Sequence, residues 1–193
     1  MVSALYPPDL LPLRWTVAQY DRLFASGHLT EDNKVELLAG VILPKLRCDS
    51  VHDYVRMQIV KLAVLQGGEE VQVGTKSAIV VGDYSMPEPS MWMSRVGSGG
   101  HRDERIRARD VALVVEVSGR SLRRDRALKL PIYAAARIPE FWIVDVKKES
   151  LSVLTEPGTI DGKEDYAREV SYGVGEAFEH ETLGRVEVGA LLR

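Results

Sequence analysis

The stretch VALVVEVSGRSLRRDRALKLPIYAAARIPEFWIVDV, residues 111–146, decides the fold of this protein. It begins with a hydrophobic run that contains one acid, Glu116, and ends with a second hydrophobic run. Between them lie a polar turn and a segment of helical spacing, in which Asp125, Lys129 and Tyr133 are four residues apart. The pattern predicts strand, helix, strand, with the first strand covered on both faces. A charge at Glu116 therefore needs a partner or a function.

Length and composition favour one soluble globular domain. The chain has 193 residues, of which 45% are hydrophobic and 27% charged, enough for a single substantial core. The one cysteine, Cys48, excludes an internal disulfide framework and a cysteine-based zinc site, and a free thiol fits a reducing cytoplasm. No apolar run approaches the roughly 20 residues of a membrane span. We expect a cytoplasmic protein without a membrane partner, an N-terminal arm over residues 1–14, and one domain over residues 15–193.

Charge is unevenly distributed along the chain. The net charge of -3 predicts no general avidity for nucleic acid. Between residues 95 and 129, however, ten bases stand against five acids, and from residue 149 onward ten acids stand against four bases. Two solvated faces are the usual explanation of such clusters, and phosphate binding by the basic stretch is the alternative. The candidates for phosphate binding are Arg120, Arg123 and Arg124, which lie in the polar turn of the central unit.

Capping and turn signals predict the elements outside the central unit. A capping box at Thr16 starts a first helix, and a second helix covers about residues 49–66. The segment VELLAGVILP, which begins at Val35, predicts a hairpin. Short strands are expected over residues 69–75, 77–81, 151–154, 167–171 and 185–188. The tail from residue 157 is otherwise predicted to be rich in turns, with His180 in a solvated loop.

Four acids and one lysine are unusual for a purely structural role, namely Glu36, Glu88, Glu116, Asp125 and Lys129. Glu88 precedes a proline, which favours an extended backbone. A hard cation such as Mg2+ takes one or two protein carboxylates, and Glu88 and Glu116 on neighbouring strands are placed to supply them. Lys129, on a helix packed against the sheet, is placed to orient the attacking water or to stabilise transition-state charge. The alternative is a buried ion pair without catalytic meaning.

Five features together carry a family resemblance: VELLAGVILP, a histidine at His52, PEPSMWM, ALVVEVSGRSL and RRDRALKLPIYAAARIPEFWIVD. They resemble the Uma-type family of restriction-endonuclease-like proteins, which belongs to the PD-(D/E)XK nuclease superfamily. The resemblance covers about residues 14–155. It implies an α/β fold with a restriction-endonuclease-like core, in which a mixed β-sheet is flanked by helices and acids on adjacent strands bind a metal.

The resemblance also implies roles for single residues. Glu88 stands at the aspartate of the PD element, and Glu116 is the acid of the second element. Ser118 occupies the position of the superfamily's lysine, while Lys129 matches the lysine that the family places on the following helix. Glu36 matches the glutamate of the family's first hairpin, near which the superfamily often has a metal-supporting acid.

The chain departs from the family pattern at two positions. Glu88 replaces an aspartate, and the added methylene moves the carboxylate by more than a catalytic metal site tolerates without compensation. Pro131 lies within the helix that carries Lys129 and is expected to kink or shift it. Asp125 and His52 match recurrent family positions for which the resemblance implies no role. The residue pattern itself favours a helix-surface or interface position for His52.

The sequence thus predicts an Mg2+- or Mn2+-dependent endonuclease that hydrolyses DNA. Its predicted catalytic residues are Glu88, Glu116, Lys129 and Glu36, and its predicted metal ligands are Glu88 and Glu116. One alternative, favoured by Glu88 and the acidic surface, is a nuclease-fold protein that has lost its chemistry and binds DNA or another protein. A second is a structural subunit that binds neither metal nor DNA. The apolar N-terminal arm and the need to reach two DNA strands favour a homodimer.

Overall fold

The computed structural model of the chain describes residues 13–46, 48–95, 97 and 105–193. In this part of the chain, six strands form one mixed sheet, and two further strand pairs form separate hairpins. The strands are β1 Val35–Leu38, β2 Val41–Pro44, β3 Val71–Thr75, β4 Met91–Arg95, β5 Val111–Ser118, β6 Glu140–Asp145, β7 Ser150–Ile160, β8 Lys163–Gly173, β9 Ala177–His180 and β10 Gly184–Glu187. The α-helices are α1 Val17–Ala25, α2 Ser50–Gly67, α3 Leu122–Arg124, α4 Leu130–Ala135 and α5 Val188–Leu192. A π-helical segment, Asp125–Lys129, joins α3 to α4.

The central sheet has the order β3-β4-β5-β6-β7-β8. Strands β5 and β6 at its centre are parallel, and every other neighbouring pair in it is antiparallel. A parallel pair requires a crossover connection, and α3, the π-helical segment and α4 supply it. The predicted α/β fold with a mixed sheet flanked by helices is confirmed, as is the strand, helix, strand unit that decides it.

The two faces of β5 are buried in different hydrophobic clusters. The residues that join the cluster covered by α2 and α5 are Leu113, Val115 and Val117. Val114 belongs to the cluster on the other face, together with Tyr133 of α4. Successive side chains of a strand alternate between faces, so Glu116 lies on the same side as Val114 and α4. The strand therefore turns its single acid toward the helix that carries the predicted lysine.

The crossover helix contains a π-helical segment directly before its proline. The backbone N–H of Leu130 bonds to the carbonyl of Asp125, five residues earlier. Pro131 is then the second residue of α4, in the first turn of a restarted helix, where a missing N–H costs little. The predicted shift at Pro131 thus takes the form of a π-helical insertion, a feature common at functional sites.

The first helix and the β1–β2 hairpin form a third, smaller packing unit. The predicted capping box is present, because the Thr16 side chain accepts a hydrogen bond from the backbone of Gln19 at 3.2 Å. Tyr20 of α1 packs with Leu37 of β1 and with Met86 in a separate hydrophobic cluster. The backbone N–H of Met86 also bonds to the carbonyl of Leu37 at 2.7 Å. This unit holds Glu36 of β1 against the main sheet.

Three expectations for the outer parts of the chain were wrong. Residues 77–81 form only isolated bridges at Val80 and Val81 rather than a strand, and residues 69–70 belong to a 3-10 turn before β3. The tail is not rich in turns, since β7 and β8 form a long hairpin across residues 150–173. His180 is not solvated, because its ring lies 3.2 Å from Glu140 with 7% of the side chain exposed.

Residues 1–12 of the expected N-terminal arm lie outside the described part of the chain. None of the helices within the described ranges is long and apolar enough to cross a membrane.

Candidate active site

Glu116 is the centre of a buried polar cluster on the α4 side of the sheet. It is 4% exposed, and its Oε1 lies 2.9 Å from the Lys129 ammonium. The same oxygen accepts a hydrogen bond from the Tyr133 hydroxyl at 3.0 Å. Lys129 and Tyr133 are four residues apart in the helical segment, so both reach one strand residue. The sequence prediction that Glu116 is a poorly solvated charge with a lysine partner is confirmed.

Glu36 reaches the cluster from the β1–β2 hairpin. It is 4% exposed, and its Oε2 lies 3.3 Å from the Lys129 ammonium. The same oxygen accepts a 3.2 Å hydrogen bond from the backbone N–H of Glu88. Its other oxygen accepts a 2.7 Å bond from the Arg124 guanidinium, which also donates to the carbonyl of Pro44. Glu36 therefore ties the hairpin to the crossover helix and to the segment that carries Glu88.

Hydrogen bonds hold the backbone of Glu88, while its side chain is partly exposed. It lies three residues before β4 rather than within a strand, so the extended-strand prediction is wrong in that detail. Its N–H bonds to Glu36, and its carbonyl oxygen lies 3.4 Å from the Lys129 ammonium. Its carboxylate forms an ion pair with Lys45, which follows β2 directly. The side chain of Glu88 is 23% exposed, far more than that of Glu116.

Asp125 and Ser118 join the end of β5 to the π-helical segment. The Ser118 hydroxyl donates a 2.7 Å hydrogen bond to Asp125, and both residues are buried. Lys129 on the helical segment, rather than the residue at position 118, is the lysine that contacts Glu116. The Ser118–Asp125 bond thus joins the end of the strand to a residue that lies four positions before Lys129.

Burial and charge act in opposite directions on the two central groups. Burial raises the pKa of Glu116 to about 8, although the Lys129 ammonium acts to lower it. Burial alone would lower the pKa of Lys129, but the carboxylates of Glu116, Glu36 and Asp125 outweigh it and raise that pKa above its ordinary value. Burial and the neighbouring Glu116 raise the pKa of Tyr133 well above its ordinary value. At neutral pH Lys129 is therefore a cation, and Tyr133 is a neutral hydrogen-bond donor.

A cavity of about 120 Å³ opens on this cluster. The predicted site residues that line it are Glu36, Glu88, Glu116, Lys129, Arg120 and Arg124, and Asp125 and His52 line it as well. The Nε2 atom of His52 lies 3.4 Å from the Ser90 hydroxyl. The oxygen of that hydroxyl accepts a hydrogen bond from the backbone N–H of Val117. The Nδ1 atom of His52 is buried without a hydrogen-bond partner among the described residues, and burial lowers the pKa of the ring. His52 is thus a half-buried, neutral cavity residue rather than the expected surface histidine.

A comparison with family models identifies the family of the chain. A family model described as "Uma2: Putative restriction endonuclease" matches residues 17–186, most of the chain. The chain belongs to the Uma2 family. The match spans α1, the central sheet and the strands through β10, so it includes every residue of the site described above.

A solved structure shows the same fold as this Uma2 protein. It is described as the crystal structure of a putative nuclease belonging to DUF820 from Anabaena variabilis ATCC 29413 at 1.96 Å resolution. The two chains superpose with a TM-score of 0.70 and 9% sequence identity, over 94% of this chain and 98% of the other. At this identity the likeness establishes the fold alone. A comparison with curated proteins found no match.

Restriction-endonuclease-like families generally use divalent metal ions, and the Uma2 site offers carboxylate oxygens, the donor type that such a cation takes. Among the described residues, no group of three or more Asp, Glu, His or Cys side chains converges closely enough to hold a metal ion. Two ammonium groups stand between the acids, because Lys129 bridges Glu116 and Glu36 while Lys45 holds Glu88. Glu88 and Glu116 still offer two carboxylates, the number that Mg2+ commonly takes from a protein.

The three predicted phosphate-binding arginines have different surroundings. Arg120 is exposed and lines the cavity, whereas Arg123 is exposed on α3 outside that lining. Arg124 is half-buried, and its guanidinium is used within the protein by Glu36 and Pro44. Sequence reasoning missed Lys45, because no motif or spacing marks a single lysine after a hairpin.

Proposed function

We propose that this Uma2 protein is a divalent-metal-dependent nuclease that hydrolyses phosphodiester bonds in DNA, with Mg2+ or Mn2+ as its cofactor. The observation that carries the proposal is the convergence of three acids and a buried lysine on one cavity. These residues come from a hairpin, a loop, a strand and a helix of the crossover. Buried ionisable groups with perturbed pKa values in a cavity are typical of catalytic sites.

Glu88 and Glu116 are the proposed metal ligands, and Glu36 supports them. When bound, the cation supplies Lewis-acid activation of the phosphate and lowers the pKa of a water molecule. Glu36 accepts the backbone N–H of Glu88, which keeps the Glu88 segment next to β5. Tyr133 orients the Glu116 carboxylate through its 3.0 Å hydrogen bond. The backbone of Glu88 is held on both its N–H and its carbonyl sides.

Lys129 is the proposed electrostatic group of the reaction. Its ammonium is held by Glu116, Glu36 and the carbonyl of Glu88, so its position is fixed before substrate arrives. Because the acids keep it protonated, it stabilises negative charge on the phosphate and orients the attacking water, but does not accept a proton. Arg120 and Arg123 are exposed near this site and are the proposed contacts to the DNA backbone.

A nuclease assay with purified protein tests the proposal. Glu116→Gln and Lys129→Met are expected to lower the cleavage rate by about a hundredfold or more, because the first removes a proposed metal ligand and the second removes the ammonium group at the reacting centre. Glu69→Gln and Lys61→Met, which change exposed residues with the same chemistry, are expected to retain wild-type activity. Chelation of the metal should abolish cleavage in every active sample. Activity that survives both substitutions at the site would contradict the proposed roles.

A second candidate function is a nuclease-fold module that binds DNA or protein without cleaving it. The observation that favours it is the Lys45 ammonium on Glu88, which competes with a metal ion for that carboxylate. Titration calorimetry with Mn2+ separates the two functions. If the protein is a nuclease, it binds Mn2+ and Glu116→Gln weakens that binding. If it is only a binding module, the titration shows no heat of Mn2+ binding. A homodimer is proposed for either function and is tested by the solution mass.

A further inference from the structure

Lys45 is placed on the border of two neighbouring cavities. The first is the cavity over the candidate site, and the second has a volume of about 320 Å³ and lies toward α1 and the hairpin. Both cavities are lined by Glu36, Lys45, Lys76 and Glu88. The Lys45–Glu88 ion pair therefore lies where one cavity passes into the other. A polymer that occupies the site and continues into the second cavity must pass this pair.

The second cavity is lined by basic and aromatic side chains, and also by the acids Glu31, Glu36 and Glu88. Its basic lining residues are Lys34, Lys45, Lys76 and Arg105, and its aromatic lining residues are Tyr20 and Phe24. Basic groups follow a phosphate backbone, and aromatic side chains accompany the bases in many single-strand grooves. Arg105 is engaged by Asp21, and Lys76 by Asp53, so both have internal partners. Lys45 alone among these cations contacts a proposed metal ligand.

We propose that Lys45 is a substrate-binding residue that exchanges partners: it neutralises Glu88 in the metal-free protein and binds a DNA phosphate once Glu88 is ligated to a divalent cation. This proposal rests on the proposed nuclease function. It adds a phosphate-binding residue that the family resemblance does not supply, and it gives the second cavity a role as the path of the strand beyond the scissile phosphate.

The electrostatics of the pair favour such an exchange. A carboxylate that ligates a divalent cation has little negative charge left for an ammonium group, and two cations side by side repel each other. The side chain of Lys45 is 27% exposed, so its flexible four-carbon stem can turn toward an incoming phosphate without leaving the cavity border. Lysine binds phosphate as a point charge and needs no fixed geometry to do so. Lys129, by contrast, has two further oxygen partners that hold it in place.

The exchange predicts that a single variant, Lys45→Met, binds Mn2+ more tightly and DNA more weakly than the wild-type protein. Loss of the competing ammonium should tighten Mn2+ binding about two- to fivefold, the effect of removing one partly exposed ion pair. Titration calorimetry of the wild-type protein and the variant, without DNA, measures this change. Lys61→Met, an exposed lysine of α2, is the matched control and should leave the Mn2+ affinity unchanged.

DNA binding of the same proteins is measured by fluorescence anisotropy in CaCl2, on labelled oligonucleotides that a gel shows to remain intact. Lys45→Met should bind DNA about three- to tenfold more weakly, and the slope of log K against log salt should fall by about 0.7 to 0.9, the loss of one phosphate contact. Lys45→Arg keeps the charge and should retain the wild-type slope. Comparing single-stranded with duplex oligonucleotides shows which form follows the second cavity.

The outcomes separate this proposal from the nuclease function. If the wild-type protein binds Mn2+ but Lys45→Met shows unchanged DNA affinity and salt slope, the Lys45–Glu88 pair is structural only and the proposal is overturned. Mn2+ binding that weakens in Lys45→Met overturns the competition between ammonium and metal. If the wild-type protein binds no Mn2+, the proposed metal-dependent function fails, and the exchange fails with it.

Discussion

Two carboxylate–lysine pairs lie side by side in this protein and differ mainly in their access to water. In the Glu116–Lys129 pair, the side chains are 5% and 6% exposed. In the Glu88–Lys45 pair, they are 23% and 27% exposed. The chemical groups are the same, but the first pair is built into the crossover between β5 and β6, and the second bridges a loop and the end of a hairpin.

This difference determines how each pair can take part in function. The buried ammonium of Lys129 has Glu116, Glu36 and a backbone carbonyl as partners, so no water is needed to satisfy it. A pair of this kind is costly to break, because one unpaired charge remains in a dry site. The exposed pair can replace either partner by water at little cost. The buried pair therefore suits preorganisation, and the exposed pair suits exchange.

The largest predicted effect comes from breaking the buried pair. Lys129→Met leaves Glu116 without its ammonium partner, and we expect the free energy of unfolding to fall by about 3–5 kcal/mol above pH 8, where Glu116 is ionised. Lys45→Met, the matched change in the exposed pair, should cost at most about 1 kcal/mol. Urea denaturation of both variants, followed by circular dichroism, measures the two values. Equal costs would remove the distinction between the two pairs.

The pH dependence of stability is the next largest effect. The folded protein holds the Glu116 proton up to a pKa of about 8, whereas the unfolded chain releases it near the ordinary value of roughly 4.3. Between these values the folded state binds more protons than the unfolded state, so raising the pH through this window lowers stability. Glu116→Gln cannot ionise and escapes this loss. We expect its stability relative to the wild-type protein to rise by about 3 kcal/mol from pH 5.5 to pH 8.5.

Thermal unfolding at a series of pH values measures this window. For a chain of this length, 1 kcal/mol corresponds to a change in Tm of about 2–4 °C. Glu69→Gln removes an exposed acid and should follow the wild-type pH profile. A constant difference between Glu116→Gln and the wild-type protein would mean that Glu116 is ionised throughout the range, with Lys129 as its fixed counterion.

The buried half of the site was predictable from sequence because its determinants are local. Glu116 and Lys129 are separated by 13 residues, within one strand and the helix that follows it, and the hydrophobic pattern identified both elements. In the exposed pair, Glu88 was among the predicted site residues, but its partner Lys45 was not predictable. Lys45 and Glu88 are separated by 43 residues, and only the packing of the hairpin against the main sheet brings them together. Periodicity describes which face of an element is buried, but not which distant element covers it.

The tail shows a second limit of sequence reasoning. Pro157 and Gly158 interrupt the pattern of β7, and such residues predict turns. In the structure, β6 pairs with β7 only as far as Thr155, so beyond that point β7 has one neighbouring strand, β8. A proline is tolerated there, because its missing N–H lies at a sheet edge. The strand continues to Ile160. The rule that proline ends a strand therefore fails where the strand is paired on one side only.

The smallest predicted effect concerns the hydroxyl that orients Glu116. Tyr133→Phe keeps the ring, which packs edge-on against Phe141 with centroids 5.2 Å apart, and removes only the donor 3.0 Å from Glu116. We expect the free energy of unfolding to fall by about 1–1.5 kcal/mol, because the variant leaves the buried Glu116 oxygen without this donor. Since Tyr133 positions a proposed metal ligand, the variant should also lower kcat for DNA cleavage while KM stays near the wild-type value.

Tyr166→Phe is the matched control for this loss. Tyr166 is 6% exposed, and its hydroxyl donates a 3.0 Å bond to the carbonyl of Ile138, a neutral acceptor outside the site. It should cost about 0.5–1 kcal/mol in stability and leave kcat unchanged. A structural role for both hydroxyls would give two variants with equal kcat. A fall in kcat that is specific to Tyr133→Phe would show that the buried pair is positioned for chemistry as well as held for stability.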